Sequence, residues 1–485
     1  MARLSIIIIF VIWLSWVPTG EPEARVSVRD ILYVFGGLAL GILSVAIYSR
    51  IMARRLKSAT LYRDMLRFNR VLRIARLAIP VWFAILVFLC DFPLFVQSLL
   101  VPLRGVGMES PGFLLGTLPP FLAMIALWWA THPADCALRE QNLLYQLSLN
   151  LPVRRSPTMG QYLVANVRMQ LLFMYTPVLL ILVLRDLFLL GAVRSGFALG
   201  EGSNLIISLL AMLPVMLLSP VLLVRILPTM RLPDSPLRLR LEELGRRHGL
   251  RVSNVLLWKT GGNIGNAAVM GIVPRLRYLL ITDLLLETMS DEQIIAVFAH
   301  EIGHVAHRHL LWMGACVLGI MFLIGGPIES LMRVFDSFFS ISEHYATLIA
   351  LAITAPLFFV IFGMFVRRLE RQADVFAART MPELAAAGVS IPCAAGAGSV
   401  SNHGAQIVGS ALRRIATINN VPVHAHEWLH GSIGSRIEFL RTLSGDPQHT
   451  RDFDKRMRWL YFGLLAMVVS MGSWTFYNML TMPAL

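Results

Sequence analysis

His300-Glu301-Ile302-Gly303-His304 decides how the rest of this chain is read. As a helix, the stretch puts His300 and His304 one turn apart on one face, where two imidazoles can share one tetrahedral zinc ion. Glu301, on the next position round, reaches a water at that ion as general base. The approach favours a helix. Ser290 followed by Asp291, Glu292 and Gln293 is a capping box with acidic residues in the first turn, where the dipole stabilises them. Ile294, Ile295, Val297 and Phe298 then supply apolar positions to bury.

Zinc needs a third protein ligand. Arg367-Arg368-Leu369-Glu370-Arg371-Gln372-Ala373-Asp374 offers Glu370 and Asp374 at i and i+4, so that one carboxylate binds metal while the other orients a ligand histidine from behind. The competing reading pairs Glu370 with Arg367 or Arg371 on a solvated face. A second source is the cluster His424-Ala-His426-Glu-Trp-Leu-His430, from which a histidine could take the third position instead.

Working outward, 56% of the residues are hydrophobic and only 15% charged, where a soluble domain carries about a quarter; this is a membrane composition. Uncharged runs at 31–49, 113–131, 204–224, 310–328, 346–366 and 460–480 are each near bilayer length. Adding 4–17, 77–103 with Asp91, and 169–190 with Arg185 and Asp186 gives nine candidate spans. The first run follows a short basic start and could be a signal peptide, but no small-x-small cleavage site follows Trp16, and it is taken as a span. Nine Arg/Lys between Arg50 and Arg76 assign that loop to the cytoplasm. Counting forward then places 225–309, and with it the histidine pair, on the cytoplasmic side of what is expected to be a bacterial inner membrane. Inner loops rich in Arg account for the net charge of +14 through an anionic leaflet, so no nucleic-acid partner is implied. Charges inside apolar runs, here Asp91 and the Arg185-Asp186 pair, are functional suspects by default, although both could lie at span ends. Cys90, Cys136, Cys316 and Cys393 show no metal spacing and are expected to be free thiols.

The expected organisation is a membrane region over 1–226, the first half of a soluble domain over 227–309, a membrane hairpin over 310–366, the second half over 367–457, and a last span over 458–485. Asp234-Ser235-Pro236 caps a helix that ends before Gly249. Val252–Trp258, Asn266–Ile272 and Arg275–Ile281 read as three strands of a small antiparallel sheet, whose edge could add a substrate strand. Residues 391–409, rich in Gly, Ala and Ser, read as a flexible loop.

Together these blocks resemble the membrane zinc metalloproteases that include the CAAX prenyl endopeptidases and the bacterial protease HtpX. Four segments carry the resemblance. Asn266-Ala-Ala-Val-Met-Gly271 with Arg277-to-Asp283 is similar to the family's paired strands, and His300–His304 to its metal helix. Glu370–Asp374 is similar to its Glu-x-x-x-Asp block, and His430 with Arg436 to its His-Pro and Arg-Ile pair, with Gly431 in place of the proline. The resemblance implies a mainly α, polytopic protein with a cytoplasmic zincin-like α+β domain. His300, His304 and Glu370 would hold one Zn2+, Glu301 would activate water, and Asp374 would support a ligand histidine. Asn266, Ala267 and Ala268 would lie along the substrate, and His430 and Arg436 would polarise its carbonyl. The function implied is cleavage of peptide bonds in membrane-associated protein substrates. Prenyl-type C-terminal processing is an alternative, and a non-catalytic scaffold or transporter another.

Overall fold

The computed structural model describes residues 2–16, 28–56, 61–100, 108–148, 156–196, 203–250, 252–262, 264–339, 343–381, 399–419 and 421–481. These form two compact units, Met1–Leu227 and Pro228–Leu485.

Among its described residues the first unit is helical: α1 (Ala2–Leu14), α2 (Val28–Leu56), α3 (Leu61–Phe88), α4 (Phe92–Leu99), α5 (Ser110–Ser148), α6 (Met159–Asn166), α7 (Phe173–Arg194) and α8 (Ser203–Ile226), with a π-helical turn over Val167–Leu172 joining α6 to α7. Apolar side chains clothe these helices on most sides, as a lipid solvent permits. The suspect charges have architectural roles. Asp91, in the left-handed region at φ 47°, divides the expected 77–103 span into α3 and α4. The carboxylate of Asp186 is 1% exposed and accepts from the Glu109 and Ser110 amides and the Ser110 hydroxyl. It thus satisfies donors that the start of α5 leaves without intrahelical acceptors. Arg185 completes the cluster with Asp186 at 3.2 Å and Glu109 at 2.9 Å.

The second unit begins with β1 (Thr229–Arg231) and α9 (Pro236–Arg247), capped by the Ser235 hydroxyl. Then come β2 (Asn254–Trp258), β3 (Ala267–Met270), β4 (Tyr278–Thr282), α10 (Asp283–Thr288) and α11 (Asp291–Ala306). The sheet order is β1-β2-β4-β3. It is mixed, which corrects the antiparallel expectation. β3 and β4 form an antiparallel hairpin, but β2 runs parallel to β4, pairing Asn254 with Tyr278 through Trp258 with Thr282. The hairpin turns at Gly271, whose φ of 110° and 2.4 Å clearance from the Leu276 carbonyl leave no room for a Cβ. Arg277 holds the turn by donating to the Gly271 and Ile272 carbonyls. With the turn spent on β3 and β4, β2 joins the far side of β4, and β3 is left on the sheet edge.

α11 carries the capping box read from the sequence, Ser290 and Gln293 satisfying each other's backbone amides. It gives way to α12 (His309–Phe339) through a 52° bend at which Arg308 adopts φ 53°. α13 (Glu343–Thr380) is one continuous helix from its apolar half into the segment bearing Glu370 and Asp374. α14 (Asn402–Ile418), α15 (Ile433–Leu443) and α16 (Pro447–Thr481) complete the unit. α14 begins inside the stretch expected to be a loop; of the remainder, 391–398 lies outside the described residues. Its Ala/Gly content serves close packing instead, for a Cβ on Gly404 would sit 2.0 Å from the Ala378 carbonyl of α13. α12, α13 and α16 pack through Cys316, Ile320, Ile324, Phe365, Leu369, Met457 and Leu464.

Against the nine candidate spans, six helices among the described residues are long and apolar enough to cross a bilayer: 28–55, 67–88, 110–140, 159–194, 206–226 and 349–380. A seventh follows if α11 and α12 count as one bent span. The chain is a multi-pass membrane protein. The first apolar run makes only the 13-residue α1, short of the about 20 residues that a span needs. Cys90, Cys136 and Cys316 are free thiols, and Cys393 lies outside the described residues.

Candidate metal centre

The centre forms where α11 crosses α13. Gly303 makes the crossing possible: a Cβ there would lie 3.1 Å from the Ala373 Cα and 3.2 Å from the Phe376 Cβ. One turn apart on α11, His300 and His304 face Glu370 of α13. Their Nε2 atoms are 3.1 Å apart, with the His300 Nε2 3.6 Å from Glu370 Oε2 and the His304 Nε2 3.5 Å from Glu370 Oε1. A tetrahedral zinc with arms of about 2.0–2.1 Å has ligand-to-ligand edges of about 3.4 Å. The three donors therefore already stand near the corners such an ion requires, and they form the one such group of His, Cys, Asp or Glu among the described residues. Glu370 is 4% exposed, and its Oε2 lies within ion-pair distance of the Arg436 guanidinium and the His300 ring, so the buried carboxylate is held ionised and aimed at the two imidazoles. The donor set fits zinc. Burial and the charge of His300 push His304 well down, whereas in His300 burial is outweighed by Asp374 and Glu370, which push it up.

Behind the donors lies a buried ionic lock. Asp374, 0% exposed, stands 3.0 Å from His300 Nδ1. It receives both Nε and Nη2 of Arg436 from α15, at 2.7 and 2.6 Å. The remaining nitrogen, Nη1, is 3.3 Å from Glu370 Oε2. Arg436 is thus committed to two carboxylates; burial lowers its pKa, and the adjacent Asp374 more than reverses that. His304 is backed differently, by the buried His309, which rests against Gln372. The sequence reading did not single out His309 or Gln372; the run of four histidines from 300 to 309 was the available signal.

Glu301 points toward the sheet edge, beside the Val269 amide of β3. Burial pushes its carboxyl up to about 7 against the lowering effect of His300. Asn266 is exposed at the entry to β3, where the Asn419 side chain clamps Gly265 by its amide and carbonyl. Ala267 is buried and Ala268 half-buried, so along β3 these two residues present mainly backbone. His430 sits on a loop closed by paired hydrogen bonds between Glu427 and Gly431. Trp428 docks that loop on α13, its indole donating to the Phe359 carbonyl while Arg367 donates to the Trp428 carbonyl. His430 Nε2 is 3.8 Å from Glu370 Oε1, and Glu427, 3.1 Å from its Nδ1, raises its pKa. His424 and His426 are exposed and do not join the donor group.

Comparisons with known proteins fall on the same part of the chain. The model of peptidase family M48 matches residues 242–441, a segment that holds every residue just described. Two curated relatives, each named CAAX prenyl protease 1 homolog, are 30% identical over 158 residues (Arabidopsis thaliana) and 27% identical over 172 residues (Oryza sativa subsp. japonica). Those matches cover 30% and 33% of this chain, and 37% and 40% of the relatives, so the chain spans about two fifths of the curated proteins it matches. Among solved structures, the crystal structure of Ste24p from S. mikatae matches 83% of this chain and 97% of its own with a TM-score of 0.50 at 15% identity, a likeness of fold.

Proposed function

We propose that the chain, whose residues 242–441 match the model of peptidase family M48, is a membrane-embedded zinc endopeptidase acting on membrane-associated protein substrates. The observation that carries this reading is the trio of donor atoms of His300, His304 and Glu370, spaced for one ion, with Glu301 on the next helical position. Bound zinc would supply Lewis acidity, polarising a carbonyl and making water a better nucleophile. Glu301 would take the proton of the attacking water and deliver it to the leaving amine. The free edge of β3 would hold the substrate backbone as an added strand beside Glu301. His430 would donate to the oxyanion as it develops. Arg436, already committed to Asp374 and Glu370, would fix the donor set in place. The basic inner loops argue that the site faces the cytoplasm.

The names of the two curated relatives favour a narrower version, C-terminal processing of prenylated substrates. Cleavage of a farnesylated peptide, and not of its unmodified counterpart, would support it. Glu301→Gln tests the chemistry: it should leave bound zinc unchanged and lower cleavage by about 10²–10⁴-fold, the usual contribution of a general base. Proteolysis at the wild-type rate would remove Glu301 from the mechanism.

A further inference from the structure

Behind His304 runs a chain of polar groups that no part of the reaction above uses. His304 Nδ1 lies 2.8 Å from the Nδ1 of His309, and His309 Nε2 lies 3.0 Å from Gln372 Oε1. The Tyr461 hydroxyl donates to that same amide oxygen at 2.5 Å. His309 is 1% and Gln372 8% exposed, so both are buried. Four helices contribute: α11, the first residue of α12, α13 and α16. Arg308 at φ 53° makes the bend that returns His309 toward His304, and Trp312 stacks on the Tyr461 ring at 4.3 Å.

The proton positions follow from one requirement. Two ring nitrogens 2.8 Å apart bond only if one carries hydrogen and the other a lone pair. His304 must present a lone pair at Nε2, the atom that faces His300 and Glu370, so its hydrogen sits on Nδ1 and is donated to His309. His309 then carries its own hydrogen on Nε2 and donates to Gln372 Oε1. An amide oxygen only accepts, so Gln372 fixes the direction of the whole chain, and Tyr461 holds that oxygen in place. The reverse order, with the Gln372 amide turned to donate, would leave the His304 hydrogen on Nε2, where that ring could not bind an ion.

We propose that His309, Gln372 and Tyr461 are positioning residues that lock His304 in its ligand tautomer and thereby set the affinity of the site for its ion. This rests on the metal-centre reading and adds the group that orients the second imidazole, as Asp374 backs the first.

The test is zinc affinity, measured by chelator competition on the purified full chain in detergent, with melting as a check on folding. Loss of an outer partner of a ligand histidine typically weakens metal binding about 10–100-fold, and that is the loss expected of His309→Phe. Gln372→Glu keeps an acceptor at the same place and should stay within about threefold of wild type, while Gln372→Met, of similar volume with no carbonyl, should fall with His309→Phe. This pair decides the matter even if His309→Phe does not fold. Equal weakening by Gln372→Glu and Gln372→Met assigns the effect to packing and overturns the proposal, as does wild-type affinity in His309→Phe. Wild-type zinc binding that is abolished by His300→Ala but indifferent to His309→Phe overturns this inference alone; a wild-type chain that binds no zinc overturns the metal-centre reading as well.

Discussion

Removing Arg436 tests the lock behind the donor histidines. In Arg436→Met the two charge-assisted hydrogen bonds to Asp374, at 2.7 and 2.6 Å, and the 3.3 Å contact with Glu370 disappear together. Hydrogen bonds to charged groups contribute about 1.5–3 kcal/mol each, and stranding a buried charge costs about 3–5 kcal/mol. Both estimates put the loss at a large share of the about 5–15 kcal/mol that holds a typical protein folded. The consequence for the ion is separate. Asp374, with no guanidinium, can lower its energy only by taking a proton itself or by raising the proton affinity of the His300 ring, whose Nδ1 stands 3.0 Å away; a second proton, on Nε2, makes His300 an imidazolium and a poor ligand. A double variant separates the two effects. Asp374→Leu with Arg436→Met replaces the ion pair by apolar volume, an exchange that is often neutral for stability, yet it still deprives His300 of its acceptor. Chemical denaturation and zinc competition, run side by side, should show the single variant weak in both and the double variant recovered in stability alone. If Arg436→Met melts with the wild type and binds zinc as tightly, the lock is ornamental and this account of the site is wrong.

Other outcomes are as direct. Glu370→Ala should strip the protein of zinc, whereas His426→Ala should not; the reverse result would move the third ligand into the loop after α14. Asp186→Ala leaves the Ser110 hydroxyl, two amides at the start of α5 and Arg185 without their carboxylate, and should lower the melting temperature of the detergent-solubilised chain while leaving its zinc affinity within about twofold. An unchanged melt would mean that water or lipid replaces that cap.

Much of the site was legible because it is written at short range. The turn between His300 and His304, the capping box at Ser290 and the i, i+4 face of Glu370 and Asp374 all follow from the 3.6-residue period. Apolar runs likewise announce membrane helices, because a bilayer sorts segments by composition alone. Tertiary structure decided what period and composition do not encode. Whether β2 pairs parallel or antiparallel depends on which edge of β4 remains free once Gly271 has turned the hairpin. Asp91 divides an apolar run at a left-handed backbone angle, which the sequence pattern does not announce. Residues 402–409 are helical because small side chains let α14 press against α13, the same composition that on its own suggests a loop. Arg436 and Tyr461 reach α13 from 62 and 89 residues further along the chain. Partners so distant meet only because burial leaves each polar group one affordable neighbour, a constraint that exists once the helices have packed.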